Sequence, residues 1–363
     1  MTDRPCTPVV LFIYNRPELT ARVVEVLSQV EPTTLYVVAD GPRPGDEAAC
    51  RAAQAVVESV DWPGTVHRWY SATNRGNRVQ ITDSLDEVFS EERRAIIVED
   101  DVVAHPRFFR WCESLLDRYD DDAEVQQVSG RNELGRWDAQ GDHLLARRGS
   151  VWGWATWASA WRTARQTSFF HAPQVELERL LLDHVRAQQL LLGRGRAIGW
   201  DNEWTLRFQL NGWLSAVPPL NLVRNIGFGA GASHTVTATD VRGALDVMEP
   251  GTALDHGEVR PTVDDRYDRW SLLVELMSSY TNPAAARRLA QAPRVLERVA
   301  GDEHGMAMHH LAPFHDALEA GAVLEHLRPH LGASETFLHL ADVMAEAAAR
   351  QPARARAVSP QAP

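Results

Sequence analysis

Through the first hundred residues, short apolar runs alternate with stretches whose apolar positions recur every three or four residues. Val9–Tyr14 reads as a buried strand, after which Leu19, Val23, Val26, Leu27 and Val30 return at helical spacing. Between them stands "NRPE", where Asn15 and Glu18 are spaced as a capping box and Pro17 falls in the first turn. Leu35–Ala39 predicts a second strand, 46–60 an Ala-rich helix and Val66–Tyr70 a third strand. Ile81, Leu85, Val88 and Phe89 predict a helix leading into a fourth apolar run, Ala95–Val98. Strands separated by helices of this length predict an α/β fold with a mostly parallel sheet and helices on both faces. Ligands in such sheets bind at the carboxyl ends of the strands.

From residue 124 the pattern loosens through "EVQQVSGRNELGRWD" into a segment rich in tryptophan, "SVWGWATWASAWR". A helix is predicted over 174–192, and another in "GWDNEWTLRFQLNGW", ended by Gly212. "LSAVPPLNLVRNIGFGAGASHT" is strand-like and then glycine-rich, as a mobile loop would be. Beyond about 245 the composition changes to Ala, Leu, Glu, Arg and His at helical spacing. This divides the chain into a sheet domain over 1–245, a helical region over 246–350 suited to oligomerisation or partner docking, and a disordered tail over 351–363. Seven of the fourteen histidines lie in 304–339, but no metal-ligand spacing repeats there.

Composition narrows the chemistry. With 44% apolar and 24% charged residues the chain has ample material for a core. It has no run of about 20 apolar residues such as a membrane span needs. The start lacks a basic, cleavable leader, and three scattered cysteines make no disulfide framework, so a cytoplasmic setting is expected. The net charge of −12 disfavours nucleic acid or an anionic membrane as the main partner. All 37 basic residues are arginine, which removes a P-loop lysine and Schiff-base chemistry. Any phosphate must be held by Arg, backbone N–H groups or a metal.

Against that background, "RRAIIVEDDVVAHPRFF" stands out. Glu99, Asp100 and Asp101 crowd three negative charges onto the end of the fourth strand, and Asp40 ends the second. Two carboxylates about 5 Å apart repel by roughly 3 kcal/mol at an effective dielectric near 20. Solvent, arginine or a cation must offset that. Carboxylate oxygens suit hard ions such as Mg²⁺ or Mn²⁺, whose shells are completed by water and substrate phosphates.

These motifs resemble those of a family. "FIYNRPE", "VVADGPR", "IIVEDDVVAHPRFF", "WGWATW", "WDNEW" and "PPLNLVRNIGFGAGASHT" occur in the order found in nucleotide-sugar glycosyltransferases of the GT-A fold, over about residues 8–240. Within that class the motifs resemble those of bacterial enzymes akin to N-acetylglucosaminyltransferase I. The resemblance implies that Asp101 binds a divalent ion, Mn²⁺ or Mg²⁺, that bridges the diphosphate of a UDP-sugar. It places Glu99 and Asp100 on the sugar or ribose, Asp40 on the base and Arg16 beside the nucleotide. Ser233 would reach the diphosphate, and His234 the diphosphate or the metal. Arg75, in "TNRGNR", offers phosphate a fork of donors.

Transfer with inversion also needs a base for the acceptor hydroxyl. The family's carboxylate follows a tryptophan near the start of a helix, and here "WDNEW" offers Asp201 and Glu203, on different helix faces. Asp201 follows Trp200 directly. The relatives read W-D-D-W, however, and the extra residue here keeps Glu203 as an alternative. Eight of the twelve tryptophans fall between Trp137 and Trp213. They serve either to pack a subdomain or to stack on sugar rings, with Trp152 and Trp154, flanking Gly153, the better placed for a ligand. Two other readings compete with a glycosyltransferase. One is a metal-dependent nucleotidyltransferase, disfavoured because "FIYNRPE" is no basic, Gly-rich phosphate loop. The other is a transferase-like scaffold without turnover.

Overall fold

The structure is a computed structural model, and it describes residues 4–137, 139, 141–167, 199–228, 245–251, 254, 260–264, 267–268 and 271. The helix predicted over 174–192, Ser233, His234, most of 246–350 and the tail over 351–363 lie outside the described residues.

The first four strands are β1 (Val9–Ile13), β2 (Thr34–Ala39), β3 (Thr65–Tyr70) and β4 (Arg94–Glu99), all mutually parallel in the spatial order β3-β2-β1-β4. The helices α1 (Pro17–Val30), α2 (Glu47–Glu58) and α3 (Asn77–Glu91) make the crossovers between them. Three further strands carry the sheet past β4: β6 (Val125–Ser129), β8 (Trp154–Trp157) and β9 (Leu214–Val217), in the order β4-β8-β6-β9. β7 (Leu144–Ala146) closes the edge beyond β9. β8 and β7 run antiparallel to their neighbours, so the eight-stranded sheet is mostly parallel, as predicted. A two-stranded ribbon joins β5 (Val102–Ala104), directly after the acidic triplet, to β10 (Val223–Asn225).

Alternation along the strands builds two cores. Val9, Leu11, Val37, Ile96 and Val98 face one side, with Leu27 of α1, Val57 of α2 and Phe108 of α4 (Arg107–Arg118). Val10, Phe12, Val38 and Ile97 face the other side, where they meet Leu85 of α3 and Trp161 of α5 (Ala158–Gln166). Trp204 of α6 (Trp200–Leu210) packs there too. Burying such side chains stabilises the fold by about 1.5–3 kcal/mol each. Trp154 belongs to this second core. It is wholly buried, with its ring centroid 4.9 Å from that of Trp204 and 6.2 Å from that of Trp200. The strand period turns it toward the helices, so it is no ligand platform.

α1 departs from expectation at its start. Arg16 occupies the N-cap position, and no side chain caps the helix. Pro17 already removes one of the amides that a cap would satisfy, and Asn15 lines a cavity instead. α1 stops at Glu31, whose φ of 52° lets its N–H reach the Leu27 carbonyl at 2.9 Å.

The first residues beyond the expected boundary near 245 are packed on the sheet domain. Val263 bridges to Leu145, Trp137 Nε1 donates to Asp264 at 2.7 Å, and Tyr267 is 1% exposed. No helix among the described residues is long and apolar enough to cross a membrane.

Candidate active site

Strand order reverses about β1: the chain winds outward to β2 and β3, then returns to β1's other side at β4. The crevice at such a switch point lies between the carboxyl ends of the two inner strands. Register places Phe12 opposite Glu99 and Ile13 opposite Ala39. The residues that follow, Tyr14 to Arg16, Asp40 and the triplet, therefore meet at one edge. All of them but Asp101 line a cavity of about 340 Å³ with Asn74, Asn77 and Gln80 from the start of α3 and the loop before it.

Arg16 binds the triplet. Its Nη2 pairs with Asp100 Oδ1, and its Nη1 lies 2.9 Å from Asp101 Oδ2. Burial draws the Arg16 guanidinium down, but the charges of Asp100 and Asp101 outweigh it and hold Arg16 above its ordinary value. Asp100 is buried and also accepts the Tyr14 N–H at 3.2 Å. Burial still pushes its carboxyl up to about 6, against the pull of Arg16. Glu99 is pushed well above the usual carboxylate range, first by burial, then by Asp101, Asp100 and Asp201. The charge of Arg16 works against that rise.

The site thus carries more negative charge than its own arginine offsets. That excess fits a divalent cation. Among the described residues no three acidic, histidine or cysteine side chains converge as a ready ion cage. An ion of the Mg²⁺ or Mn²⁺ kind does not need one, because it is commonly held by one or two carboxylates and by substrate phosphates. Asp101 shares Arg16 with Asp100, but it is partly exposed where Asp100 is buried.

Opposite Asp101 lies the segment after β10. Ile226 N–H donates to the Asp101 carbonyl at 2.8 Å, and the Gly227 backbone packs on the Asp101 carboxylate. A Cβ at 227 would strike Asp101 Oδ2 and come within 2.9 Å of Arg16 Nη1. Only glycine allows that approach.

Asp40 sits in the crevice in a different role from the one expected. One carboxylate oxygen accepts the N–H groups of Gly41 at 2.9 Å and Arg75 at 2.8 Å. The other accepts Gly76 N–H at 2.9 Å and Asn74 Nδ2 at 3.0 Å. These four bonds fill the capacity of an ionised carboxylate. Asp40 is a clamp on the 73–76 loop and has no lone pair left for a base. Arg75 directs its guanidinium to Asp83 on α3.

A second cavity, of about 100 Å³, is lined by Arg131, Ser150, Trp152, Asp201, Thr205 and Tyr267 with others. Trp152 is turned there by Gly153, whose φ is +65°, and the Arg131 guanidinium stacks over it at 4.7 Å. Asp201 stands in the first turn of α6, and no arginine among the described residues pairs with it. Glu203 points elsewhere and is buried between Arg78 and Arg207, with N···O separations of 2.8 and 3.0 Å. Asp201 is also among the charges that raise Glu99, after burial, Asp101 and Asp100.

No family model matches the chain. No curated protein matches it either. Among solved structures it is similar to a mannosyltransferase from Pyrobaculum calidifontis in complex with GDP-mannose and Mn²⁺. That likeness has 16% identity, covers 97% of this chain and 89% of the other, and has a TM-score of 0.41. So distant a likeness assigns no residue role or substrate here.

Reading the sequence alone misses Tyr14, Asn74, Arg78, Arg131 and Tyr267. Tyr14 ends the first apolar run and Arg78 lies in "TNRGNR", so a signal for each was present. Nothing local marks Tyr267, which reaches its cavity from beyond the change in composition.

Proposed function

We propose that the chain is a metal-dependent glycosyltransferase that moves a sugar from a nucleoside-diphosphate sugar to an acceptor hydroxyl with inversion. One observation carries this reading. Carboxylates crowd the switch point of a parallel sheet beside a cavity of about 340 Å³, and Asp201, with which no arginine among the described residues pairs, lines a second cavity.

Mn²⁺ or Mg²⁺, held by Asp101, would neutralise the diphosphate as it leaves. The chain's own residues do the rest. Arg16 keeps Asp100 and Asp101 side by side, and Tyr14 and the clamped 73–76 loop shape the nucleotide cavity. Asp201 takes the proton of the acceptor hydroxyl as that oxygen bonds to the anomeric carbon, and the C–O electron pair departs with the diphosphate. Glu203, held by two arginines, is not the base. Trp152, with the Arg131 guanidinium over its ring, lines the cavity on the acceptor side. Because Asp40 is spent on the loop, a uridine donor rests on the resemblance alone.

The test is a panel of UDP-, GDP- and other nucleotide sugars with Mn²⁺ or Mg²⁺, followed by calorimetry and by slow hydrolysis without acceptor. Asp101→Ala should abolish metal-dependent donor binding. Asp201→Asn should keep binding and lower turnover by about 10²–10⁴-fold. Full turnover in both variants would overturn the assignment.

A further inference from the structure

Glu203 and Arg78 are two charged residues near the site that proton transfer does not use. Arg78 grips the Glu203 carboxylate as a fork, with Nε 3.1 Å from Oε2 and Nη2 3.1 Å from Oε1. The Glu203 side chain is only 7% exposed, and Arg207, one turn further along α6, closes its other side at 3.0 Å. A bidentate pair fixes direction as well as distance.

Its two ends belong to different parts of the site. Arg78 is the second residue of α3, directly after the loop whose Arg75 and Gly76 amides are held by Asp40. Asn74 and Asn77, on either side, line the larger cavity. Glu203 is two residues past Asp201 on α6. At about 100° per residue, positions two apart point about 200° apart. Holding Glu203 against α3 therefore turns Asp201 away from α3, into the cavity with Trp152 and Arg131.

We propose that Arg78 and Glu203 are a positioning pair that carries the state of the nucleotide-side loop to the base at Asp201. Donor binding in the larger cavity steadies the loop, the loop steadies Arg78, and the fork sets the rotation of α6. The pair touches no reacting atom, and it rests on the glycosyltransferase reading above. Coupling of this kind is established only by measuring both ends.

The experiment is hydrogen–deuterium exchange with and without UDP or GDP plus Mn²⁺, alongside kinetics with the donor that the panel selects. In the wild type, the nucleotide should protect both 73–77 and 200–205. In Glu203→Gln, protection should stop at 73–77, with kcat about tenfold lower and donor KM within about twofold. Arg78→Lys, which keeps the charge and loses the fork, should fall between. Arg93→Gln, which breaks the exposed pair with Asp120, serves as control and should match wild type. Wild-type protection confined to 73–77, or full kcat in both Glu203→Gln and Arg78→Lys while Asp201→Asn is inactive, would overturn the coupling and leave the glycosyltransferase reading standing. A wild type that bound neither nucleotide would overturn both.

Discussion

Gly227 decides how closely the segment after β10 can approach the acidic triplet. Its backbone lies against the Asp101 carboxylate, and Arg16 stands just behind. Any side chain there must push Asp101 or Arg16 aside, and crowding of this kind costs about 1–3 kcal/mol. Because the pressure falls on the proposed ion ligand, the loss should appear in binding more than in folding. Gly227→Ala should weaken Mn²⁺-dependent donor binding at least about tenfold by calorimetry, with a melting temperature near wild type. Unchanged donor affinity would show that the segment does not need to sit on Asp101. The triplet itself is divided by environment: Asp100 is enclosed and tied to Tyr14 and Arg16, Glu99 is desolvated, and Asp101 meets the incoming segment.

Among the elements, the loop over 73–76 shows how a strand end builds a binding wall. Four hydrogen bonds converge on Asp40 from Gly41, Asn74, Arg75 and Gly76. An amide in place of the carboxylate turns one acceptor into a donor and leaves buried N–H groups facing it, at about 1–3 kcal/mol for each unmet bond. Asp40→Asn should therefore destabilise the fold by about 2–3 kcal/mol in denaturant titration and weaken every nucleotide sugar by a similar factor. A change in base preference would mean that Asp40 reads the base after all. The same contrast explains what was legible. β1 to β4 and their crossover helices follow from apolar spacing, and the strand ends locate the crevice, because burial and period are local properties. Asp40's neighbours come from a loop more than thirty residues away, so its saturation is not local. The choice between Asp201 and Glu203 was half legible: their spacing says that they diverge, but Arg78, 125 residues from Glu203, decides which one is bound. Trp154 and Trp152 differ by two positions, and only Gly153's positive φ separates core from cavity.

Across the whole molecule, described residues past the change in composition near 245 pack on the sheet domain. Described residues up to Ser271 close the β7 edge: Asp264 takes the Trp137 indole N–H, Asp268 takes the Arg147 N–H at 3.0 Å, and Tyr267 lines the second cavity. The Tyr267 hydroxyl accepts the Glu133 N–H at 3.0 Å, and Glu133 in turn holds buried Arg131 at 2.8 Å. A chain cut after 245 should thus expose the Trp152 cavity and unfold more readily. Tyr267→Ala should cost about 3–5 kcal/mol, as other large aromatic truncations in cores do. The hydroxyl gives a second measurement. Burial first, then the Glu133 charge, raises the Tyr267 phenol above its usual value near 10. A group raised in the folded state contributes stability that is present below its unfolded pKa and lost as pH climbs through the folded one. Wild-type stability should therefore fall as pH rises past about 10, and Tyr267→Phe should make that fall shallower without removing it, because Tyr36 is raised by burial as well. Chemical denaturation between pH 8 and 11 separates the outcomes. If the 245 truncation unfolded like the full chain and Tyr267→Phe followed the wild-type curve, the residues past 245 would be an appendage rather than part of the domain that holds the site.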